Sequence, residues 1–349
     1  MRDTIPHKGW WQLPTGPANT ICDIDGVRVG HESVHAEGAC TGVTAILPHA
    51  GDLYRRPVPA AAAILNGFGK SIGLVQLMEL GEIETPILLT NTFSVPACAT
   101  TLIKRAIGQN PKIGRRSATV NPLVLECNDG QVNDIQALSV TEITAETAIA
   151  NADGEFNQGT VGAGSGMKTF GFAGGVGSAS RQVKLSGDSI YSVGALVLSN
   201  FGQQADLRVF GRLFPDTPRA DLDDEDMGSI IIVMATDAPM DSRQLGRLSR
   251  RSGAALGRLG SYLGHQSGDI ALAFSTANVF ERDSANTHAT LRLCESRMNA
   301  FFKAAVEATE EAILNALWHA TPMSAYDGSL LPSFRTHLTP KEDTPAMPG

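Results

Sequence analysis

Residues 229–236, SIIIVMAT, contain an uninterrupted apolar run from Ile230 to Met234. A run this short and this rich in β-branched residues is typical of a strand that is buried on both faces. The segment just upstream, residues 214–226, is acidic, contains proline and is rich in turn-forming residues. The sequence therefore predicts that a loop passes directly into a core strand, with Gly228 and Ser229 at the junction.

The overall composition is that of a folded globular protein. Apolar residues make up 42% of the 349 residues and charged residues 18%, so one large domain or two ordinary domains could bury a substantial core. The net charge is −8, and no dense stripe of Lys and Arg occurs, so nucleic acid is not an expected partner. No apolar run approaches the roughly 20 residues of a membrane span, so no membrane association is expected.

The cysteines and the N-terminal residues bear on the expected compartment. Five cysteines are scattered along the chain without a CxxC pair, which argues against a disulfide framework or a zinc site. The first residues, MRDTIPHKGWWQLPTGP, contain no apolar stretch with a cleavage site, so no signal peptide is predicted. A reducing, cytoplasmic location is the resulting expectation.

Apolar spacing predicts strands and helices mixed along the whole chain. Strands are predicted at 21–29, 41–48, 87–90, 123–126, 178–185, 191–198, from 229 onward and at 269–275. Helices are predicted at 70–80, 96–107, 143–152, from residue 241 onward and at 295–320. Asp241 and Gln244 form a predicted capping box at the start of the fourth helix. Residues 1–18 and 338–349 are expected to be irregular, and the mixture favours an α/β or layered α+β architecture.

Several familiar motifs of binding and catalysis are absent. The glycine-rich stretch 159–177 contains neither GxGxxG nor GxxxxGK[ST], which favours turns and close strand packing over nucleotide binding. His31 and His35 are four residues apart, but no HExxH occurs, so a metal site there is a hypothesis that the sequence only permits. No GxSxG motif marks a Ser/His/Asp triad.

The junction of Gly228 and Ser229 suggests a different nucleophile. A strained Gly–Ser peptide allows the serine hydroxyl to attack the preceding carbonyl, so that the acyl group shifts from nitrogen to oxygen and water then releases it. The new chain would begin at Ser229, whose α-amine has a pKa of about 7.7–8.0 and can act as general base for its own hydroxyl. On these residues alone, an ordinary turn before a strand remains the alternative.

A series of motifs, in order along the chain, supports the first interpretation. They are GPANTICDIDGVRVGH (16–31), TGVTAILP (41–48), LNGFGK (65–70), LLTNTFSV (88–95), ECNDGQVND (126–134), VGAGSGMKTFGFAGGVGSASR (161–181), GALVLSNFG (194–202), GSIIIVMATDAPM (228–240), QLGRLSRRSG (244–253) and SGDIALAFSTAN (267–278). Together they resemble peptidase family S58, the family of the L-aminopeptidase/D-esterase-amidase and the β-peptidyl aminopeptidases.

The resemblance implies a fold and a mode of action. The fold is a four-layer αββα sandwich of the α+β class, similar to that of the N-terminal-nucleophile hydrolases but with different strand connectivity. One domain, 1–349, is expected to cut itself into an α chain, 1–228, and a β chain, 229–349. The resemblance also implies no cofactor, tetramers of αβ units, and substrates that are short peptides, amides or esters with a free amine.

Site residues follow from the same resemblance. It implies Ser229 as nucleophile and base, and Asn200 as the carboxamide that binds the oxyanion. Ser267 and Asp269 are implied to orient the Ser229 amine, and Glu126 to receive the amine of the substrate. On the residues alone, each of these could equally be a cap, a turn residue or a solvated charge.

One position departs from the family pattern. Where relatives have tyrosine in E-T-Y-D-G, this chain has Asn128 in ECNDG, a donor with shorter reach, which is expected to alter substrate shape or rate. The same layered fold occurs in self-cleaving ornithine acetyltransferases, so an acyltransferase is an alternative function. A non-catalytic relative that never cuts itself is another.

Overall fold

The computed structural model describes residues 5–7, 9–36, 38–185, 187, 189–214, 228–282 and 284–338. Its strands are β1 Arg28–Ala36, β2 Ala39–Leu47, β3 Val58–Gly67, β4 Glu82–Ile83, β5 Ile87–Asn91, β6 Leu123–Cys127, β7 Lys168–Thr169, β8 Phe172–Ala173, β9 Gly175–Lys184, β10 Ile190–Asn200, β11 Arg208–Val209, β12 Arg212–Leu213, β13 Ser229–Thr236, β14 Gly268–Ser275, β15 Met323–Ser324 and β16 Leu330–Leu331. Its α-helices are α1 Leu74–Leu80, α2 Val95–Gln109, α3 Glu142–Ala150, α4 Ser242–Ser249, α5 Ser252–Leu259, α6 Met298–His319 and α7 Phe334–Leu338.

Two sheets form the middle of the molecule. The smaller sheet has the order β1-β2-β5-β6, in which only β5 and β6 run parallel. The larger sheet has the order β4-β3-β14-β13-β10-β9, and its single parallel pair is β13 with β14. Strand β13 therefore lies inside the larger sheet, with neighbours on both sides.

Three apolar cores separate four layers. The core between the sheets contains Leu89, Leu125 and Leu272, whereas the core outside the smaller sheet is closed by α2 and α3. A third core lies between the larger sheet and α4, α5 and α6. This arrangement confirms the predicted α+β, αββα sandwich, because each sheet face needs an apolar layer to cover it.

Strand β13 contributes to two of these cores at once. Ile230, Ile232 and Met234 pack on the helix side, while Ile231 and Val233 pack between the sheets. Because successive side chains in a strand point to opposite faces, a continuous apolar run is what such a position requires. The prediction of a strand buried on both faces is confirmed.

Other predicted elements are wrong in part. Residues 21–29 were expected to form a strand, but Ile21–Asp23 is a 3-10 helix that Thr20 caps, and β1 begins only at Arg28. The predicted helix at 70–80 begins at Leu74, because Gly73 has a φ of 95° and its α-carbon lies against the carbonyl of Pro122. The long helix predicted from residue 241 divides into α4 and α5.

The alanine-rich strand β3 was not predicted at all. It reads VPAAAAILNG and pairs with β14 along most of its length. Alanine is depleted in strands, and its small side chain gives no alternating pattern of large apolar residues. Helix α4 packs against this strand, which explains why small side chains suit it.

The glycine-rich stretch serves close packing, as predicted. A β-carbon on Gly175 would lie 2.0 Å from the carbonyl oxygen of Gly159, and one on Gly177 would lie 2.0 Å from that of Ala312 on α6. Strand β9, which begins at Gly175, can therefore pack against residue 159 and α6 only because these two positions lack side chains.

The N-terminal arm is irregular but anchored on α6. Trp10 and Trp11 donate their indole N–H groups to Glu310 at 3.0 and 2.9 Å.

Among the helices of the described ranges, none is long and apolar enough to cross a membrane.

Candidate active site

Ser229 is the first residue of β13 and lies between two other strand ends. Its register partners are Asn200, the last residue of β10, and Gly268, the first residue of β14. The side chain is largely buried, with 7% of the residue exposed, and its Oγ accepts a hydrogen bond of 3.1 Å from the N–H of Gly268. The hydroxyl is thus fixed by the sheet itself.

Gly228 is required by space. A β-carbon at this position would lie 2.4 Å from the α-carbon of Phe201 and 2.6 Å from the carbonyl oxygen of Asn200. Any other residue would displace the end of β10. Of the acidic loop expected at 214–226, only Phe214 is among the described residues, and it packs against Phe172.

Asn200 presents its carboxamide next to Ser229. The Oδ1 atom accepts a hydrogen bond of 2.8 Å from the N–H of Lys168, and Nδ2 donates to the carbonyl oxygen of Asn128 at 2.9 Å. These two contacts fix which end of the amide is the donor. A carboxamide nitrogen carries two N–H groups, so the bond to Asn128 leaves one for a substrate oxygen.

Ser267 and Asp269 flank the partner of Ser229 at the start of β14. The Ser267 hydroxyl donates a hydrogen bond of 2.7 Å to Oδ1 of Asp269, and both residues are almost fully buried. The parallel register places Asp269 opposite Ile230, one residue beyond Ser229. A hydroxyl and a carboxylate are therefore coupled beside the first residue of β13.

Glu126 approaches from the other sheet. It lies in β6, is only 4% exposed, and accepts hydrogen bonds from the backbone N–H of Lys70 at 2.7 Å and from the hydroxyl of Thr92. Within the described parts of the chain, no Lys, Arg or His group forms an ion pair with it. Burying a carboxylate without a cation is costly, so the position suits a cationic ligand.

A buried thiol shows that these carboxylates share one neighbourhood. Cys127 follows Glu126, and its Sγ contacts the carbonyl oxygen of Leu198 at 3.6 Å. Burial, and then the charges of Glu126 and Asp269, raise the pKa of the Cys127 thiol well above its usual range. Negative charge from both sheets therefore converges at the Ser229 end of the sandwich.

Comparisons with known proteins agree with this geometry. The model of peptidase family S58 matches residues 19–331. The chain belongs to peptidase family S58. A β-peptidyl aminopeptidase, BapA of Sphingosinicella microcystinivorans, is 38% identical over 340 residues, which cover 90% of this chain and 84% of BapA.

Two solved structures are similar over almost the whole S58 chain. The PH0078 protein from Pyrococcus horikoshii OT3 is 43% identical, with a TM-score of 0.87 and coverage of 92% of each chain. The L-aminopeptidase D-Ala-esterase/amidase from Ochrobactrum anthropi is 33% identical, with a TM-score of 0.84 and coverage of 93% of this chain and 95% of that one. The latter is described as a variant of the Ntn hydrolase fold. The S58 chain is thus a hydrolase of peptide or amide bonds.

Asn128 lies in the loop after β6, at the position where the S58 pattern has tyrosine. Its Oδ1 accepts a hydrogen bond of 2.9 Å from the N–H of Gly130, which closes a turn. Its contact with the site is made by the backbone carbonyl that binds Asn200. A substrate-binding role of the Asn128 side chain stays a prediction.

Several residues of the candidate site were not predicted from the sequence. Gly268, Lys70 and Lys168 each contribute a backbone N–H, and Thr92 contributes a hydroxyl. Backbone donors carry no signature in a sequence, because every residue except proline has one. No Lys or Arg lies near Glu126 along the chain, yet the fold brings the Lys70 segment against it.

Asp129 was also missed, and it anchors the loop that carries Asn128. It is buried, accepts a hydrogen bond of 2.5 Å from Thr41 and one of 3.1 Å from Asn133, and lies among neutral donors. Burial raises the pKa of the Asp129 carboxyl to about 6, while the hydrogen bonds of Thr41, Asn133 and Asn91 oppose the increase.

The two histidines considered for a metal site have other surroundings. His31 lies in β1, where Nδ1 contacts Thr44 at 2.9 Å and Nε2 contacts the carbonyl oxygen of Asn157 at 3.1 Å. Burial lowers the pKa of His31 to about 4. His35 lies four residues further along the same extended strand, about 13 Å away. In the part of the chain that is described, no group of three or more His, Cys, Asp or Glu residues could hold a metal ion.

A cavity of about 740 Å³ lies at the opposite end of the larger sheet. Met240 and Asp241, which follow β13, line it together with Arg282 and Arg292. Two of its carboxylates are paired with these arginines, Glu82 with Arg282 at 2.7 Å and Asp241 with Arg292 at 3.7 Å, and the third, Glu281, is paired with Arg55 at 2.5 Å. The candidate site at Ser229 therefore rests on its chemistry and not on the size of a cavity.

Proposed function

We propose that this S58 peptidase is a self-processing aminopeptidase and amidase/esterase that uses Ser229 as an N-terminal nucleophile. The observation that carries the proposal is the position of Ser229, whose register partners are Asn200 on one side and, on the other, Gly268, which the coupled Ser267 and Asp269 flank. The descriptions of BapA and of the Ochrobactrum enzyme as aminopeptidases support it.

Processing begins with the bond between Gly228 and Ser229. The Ser229 Oγ attacks the carbonyl carbon of Gly228, the C–N bond breaks, and the nitrogen takes up a proton, which leaves an ester. Water hydrolyses the ester, so that one chain ends in the carboxylate of Gly228 and the other begins with the amine and hydroxyl of Ser229. The products are the fragments 1–228 and 229–349.

Catalysis uses the same hydroxyl. The α-amine of Ser229, with a pKa of about 7.7–8.0, is partly neutral near pH 7 and takes the proton of its own Oγ as the oxygen attacks the substrate carbonyl. The remaining N–H of Asn200 stabilises the oxyanion. Ser267 and Asp269 orient the α-amine, which then passes the proton to the leaving group, and water releases the acyl-enzyme.

Glu126 selects the substrate. The described hydrogen bonds to this buried carboxylate come from the backbone N–H of Lys70 and the hydroxyl of Thr92, which are both neutral. A protonated substrate amine would supply the missing positive charge. The substrates are therefore short peptides, amides or esters with a free N-terminal amine, and an N-acetylated analogue would lack the charge. The family name of BapA makes β-aminoacyl substrates the first to test alongside L- and D-aminoacyl substrates.

Exposed apolar side chains support an oligomer of αβ units. Helix α1 buries Leu77 but leaves Val75 and Met78 exposed, at 83% and 53%. An apolar helix face of this kind is typical of a surface that another subunit covers. A tetramer, as the family resemblance implies, predicts a mass in light scattering of about four αβ units.

The test is a comparison of Ser229→Ala and Ser229→Cys with the wild type. Ser229→Ala should remain one chain and lose aminoacyl-nitroanilide hydrolysis, because both the processing and the catalytic nucleophile are removed. Ser229→Cys should still be processed, because a thiol is a strong nucleophile. Processing of the alanine variant would contradict the proposal, as would full activity of an uncut chain.

A second arm separates hydrolysis from acyl transfer. The wild type is assayed on L-, D- and β-aminoacyl nitroanilides with and without a free amino acid such as ornithine as acceptor. Release of the free amino acid at an unchanged rate supports the aminopeptidase. Quantitative transfer to the acceptor would support the ornithine acetyltransferase type of activity instead.

A further inference from the structure

A short segment, residues 67–70, connects the two sides of the candidate site. Phe68 donates its N–H to the carbonyl oxygen of Ser267 at 3.3 Å, and Lys70 donates its N–H to Glu126 at 2.7 Å. Ser267 belongs to the larger sheet side and Glu126 to the smaller sheet. The segment therefore forms a wall of the site between the amine-orienting pair and the substrate-binding carboxylate.

The side chain of Lys70 is available on this wall. Its ammonium nitrogen lies 3.8 Å from the centre of the Phe68 ring, and both side chains are exposed. Across the described ranges of the chain, no carboxylate forms an ion pair with Lys70, whereas Lys104 is paired with Glu142 at 2.6 Å. An ammonium over an aromatic face is held in place but keeps its positive charge.

Lys168 occupies the opposite wall. Its backbone N–H binds Oδ1 of Asn200, and its ammonium contacts Oε1 of Gln131 at 3.2 Å. It therefore lies on the side where the substrate oxygen would sit. The two lysines differ in position but not in charge, so they form a matched pair for experiment.

In the proposed function, three groups surround the substrate carbonyl carbon that is attacked. Ser229 supplies the nucleophile, Asn200 binds the oxygen, and Glu126 draws the amine. The remaining substituent is the leaving half of the substrate, and among the described residues segment 67–70 is a wall that none of these three groups occupies. In a dipeptide this leaving half ends in a carboxylate no more than about 7 Å from the amine, since an extended residue spans roughly 3.5 Å.

We propose that the Lys70 ammonium binds the free carboxylate of the leaving amino acid, so that dipeptides are preferred over the corresponding amides. The inference rests on the proposed aminopeptidase function and specifies its substrate class. Positive charge at Lys70 and negative charge at Glu126 match the two charged ends of one short zwitterionic peptide. A longer peptide or an amide would place no carboxylate at this distance.

The test measures kcat/KM for a cleaved dipeptide and for the same dipeptide with a C-terminal carboxamide. Lys70→Gln should lower the value for the dipeptide by roughly fivefold to tenfold, mainly through KM, and that for the amide by less than about twofold. Lys70→Arg should retain most of the preference because it keeps the charge. The dipeptide preference of the wild type should weaken at high salt, since the ammonium is exposed.

Lys168→Gln is the control for a general loss of positive charge. This variant should change kcat/KM for the dipeptide and for its carboxamide by the same factor. The ratio of the two kcat/KM values should therefore stay at the wild-type value. The inference would be overturned if Lys70→Gln left the ratio of kcat/KM for dipeptide and amide unchanged. It would also be overturned if both variants changed this ratio equally. Neither result would contradict the aminopeptidase function. Failure of the wild type to cleave either substrate would instead contradict the proposed function on which it rests.

Discussion

Two regions of this peptidase bury glutamates, and they treat them in opposite ways. On α6, Glu307 and Glu311 surround Arg181, with nitrogen–oxygen distances of 3.3 and 2.6 Å, and all three side chains are at most 4% exposed. At the Ser229 end of the sandwich, Glu126 is equally buried. Among the described residues, it accepts hydrogen bonds only from two neutral groups, the backbone N–H of Lys70 and the hydroxyl of Thr92.

The difference separates structural from ligand-binding carboxylates. A buried charge must be compensated, and on α6 the compensation comes from within the chain and holds the N-terminal arm and β9 on the helix. At Glu126 none of the described Lys, Arg or His groups supplies a cation. Among the described residues, a buried carboxylate without a cation partner is thus a better marker of the candidate site than the cavity near Arg282.

Arg181→Met should produce the largest change in stability. It leaves Glu307 and Glu311 as uncompensated buried charges, which should lower the free energy of unfolding by about 3–5 kcal/mol. The measurement is urea denaturation in a Ser229→Ala background, where every variant is expected to remain a single chain. Arg55→Met, which removes an exposed pair with Glu281 at 2.5 Å, is the control and should cost far less. Equal losses in the two variants would show that burial of the pair has no special weight.

Asp129 is a third kind of buried carboxylate, one whose protonated form is favoured by burial. Its folded-state pKa of about 6 lies above the ordinary value of 3.8, so protonation stabilises the folded form at low pH. This contribution is complete below about pH 3.8 and is lost as the pH rises through about 6. The difference between the two pKa values corresponds to roughly 3 kcal/mol.

Asp129→Asn should remove this pH dependence. In the Ser229→Ala background, the stability of the parent relative to the variant should be greater at pH 4 than at pH 7, by up to roughly 3 kcal/mol. Urea denaturation at the two pH values measures it. A difference of the opposite sign would mean that the folded protein favours the ionised form of Asp129.

Glu126→Gln should affect substrate turnover and leave the fold intact. The amide keeps an acceptor for the N–H of Lys70 but loses the charge that attracts an amine, so kcat/KM for free-amine substrates should fall by roughly tenfold to a hundredfold. Self-cleavage involves no substrate amine and should continue.

Glu307→Gln is the matched control, because it makes the same chemical change on α6. It should lower stability and leave the preference for free over N-acetylated substrates unchanged. Equal rates of the wild type on acetylated and free substrates would contradict the role of Glu126 and indicate an endo-acting amidase.

Much of the fold followed from local patterns, with particular exceptions. The apolar run after Ser229 and the capping box, in which the N–H of Gln244 donates to the carboxylate of Asp241 at 2.7 Å, are local features and are confirmed. Strand β3 was not predicted because its alanines form no alternating pattern of large apolar residues. Their small size instead allows α4 to pack closely against the strand. The helix predicted at residue 70 starts only at Leu74, since Gly73 has a positive φ of 95° and is not helical.

The candidate site shows the same division. The family motifs indicated Ser229, Asn200 and Glu126, and the fold brings these residues together from three strands of two sheets. The contacts that orient them could not be predicted, because they are backbone N–H groups of residues distant in the sequence. Lys70 became a candidate only when the sheets placed its segment against Glu126.

The most direct test of the account is the mass and N-terminal sequence of the purified protein. The account predicts two fragments, 1–228 and 229–349, that elute together because β13 lies inside the shared core, with the smaller one beginning Ser-Ile-Ile-Ile. The Ser229→Ala protein should give one intact mass under the same conditions. A wild-type protein that is fully active as a single uncut chain would contradict the claim that Ser229 acts as an N-terminal nucleophile.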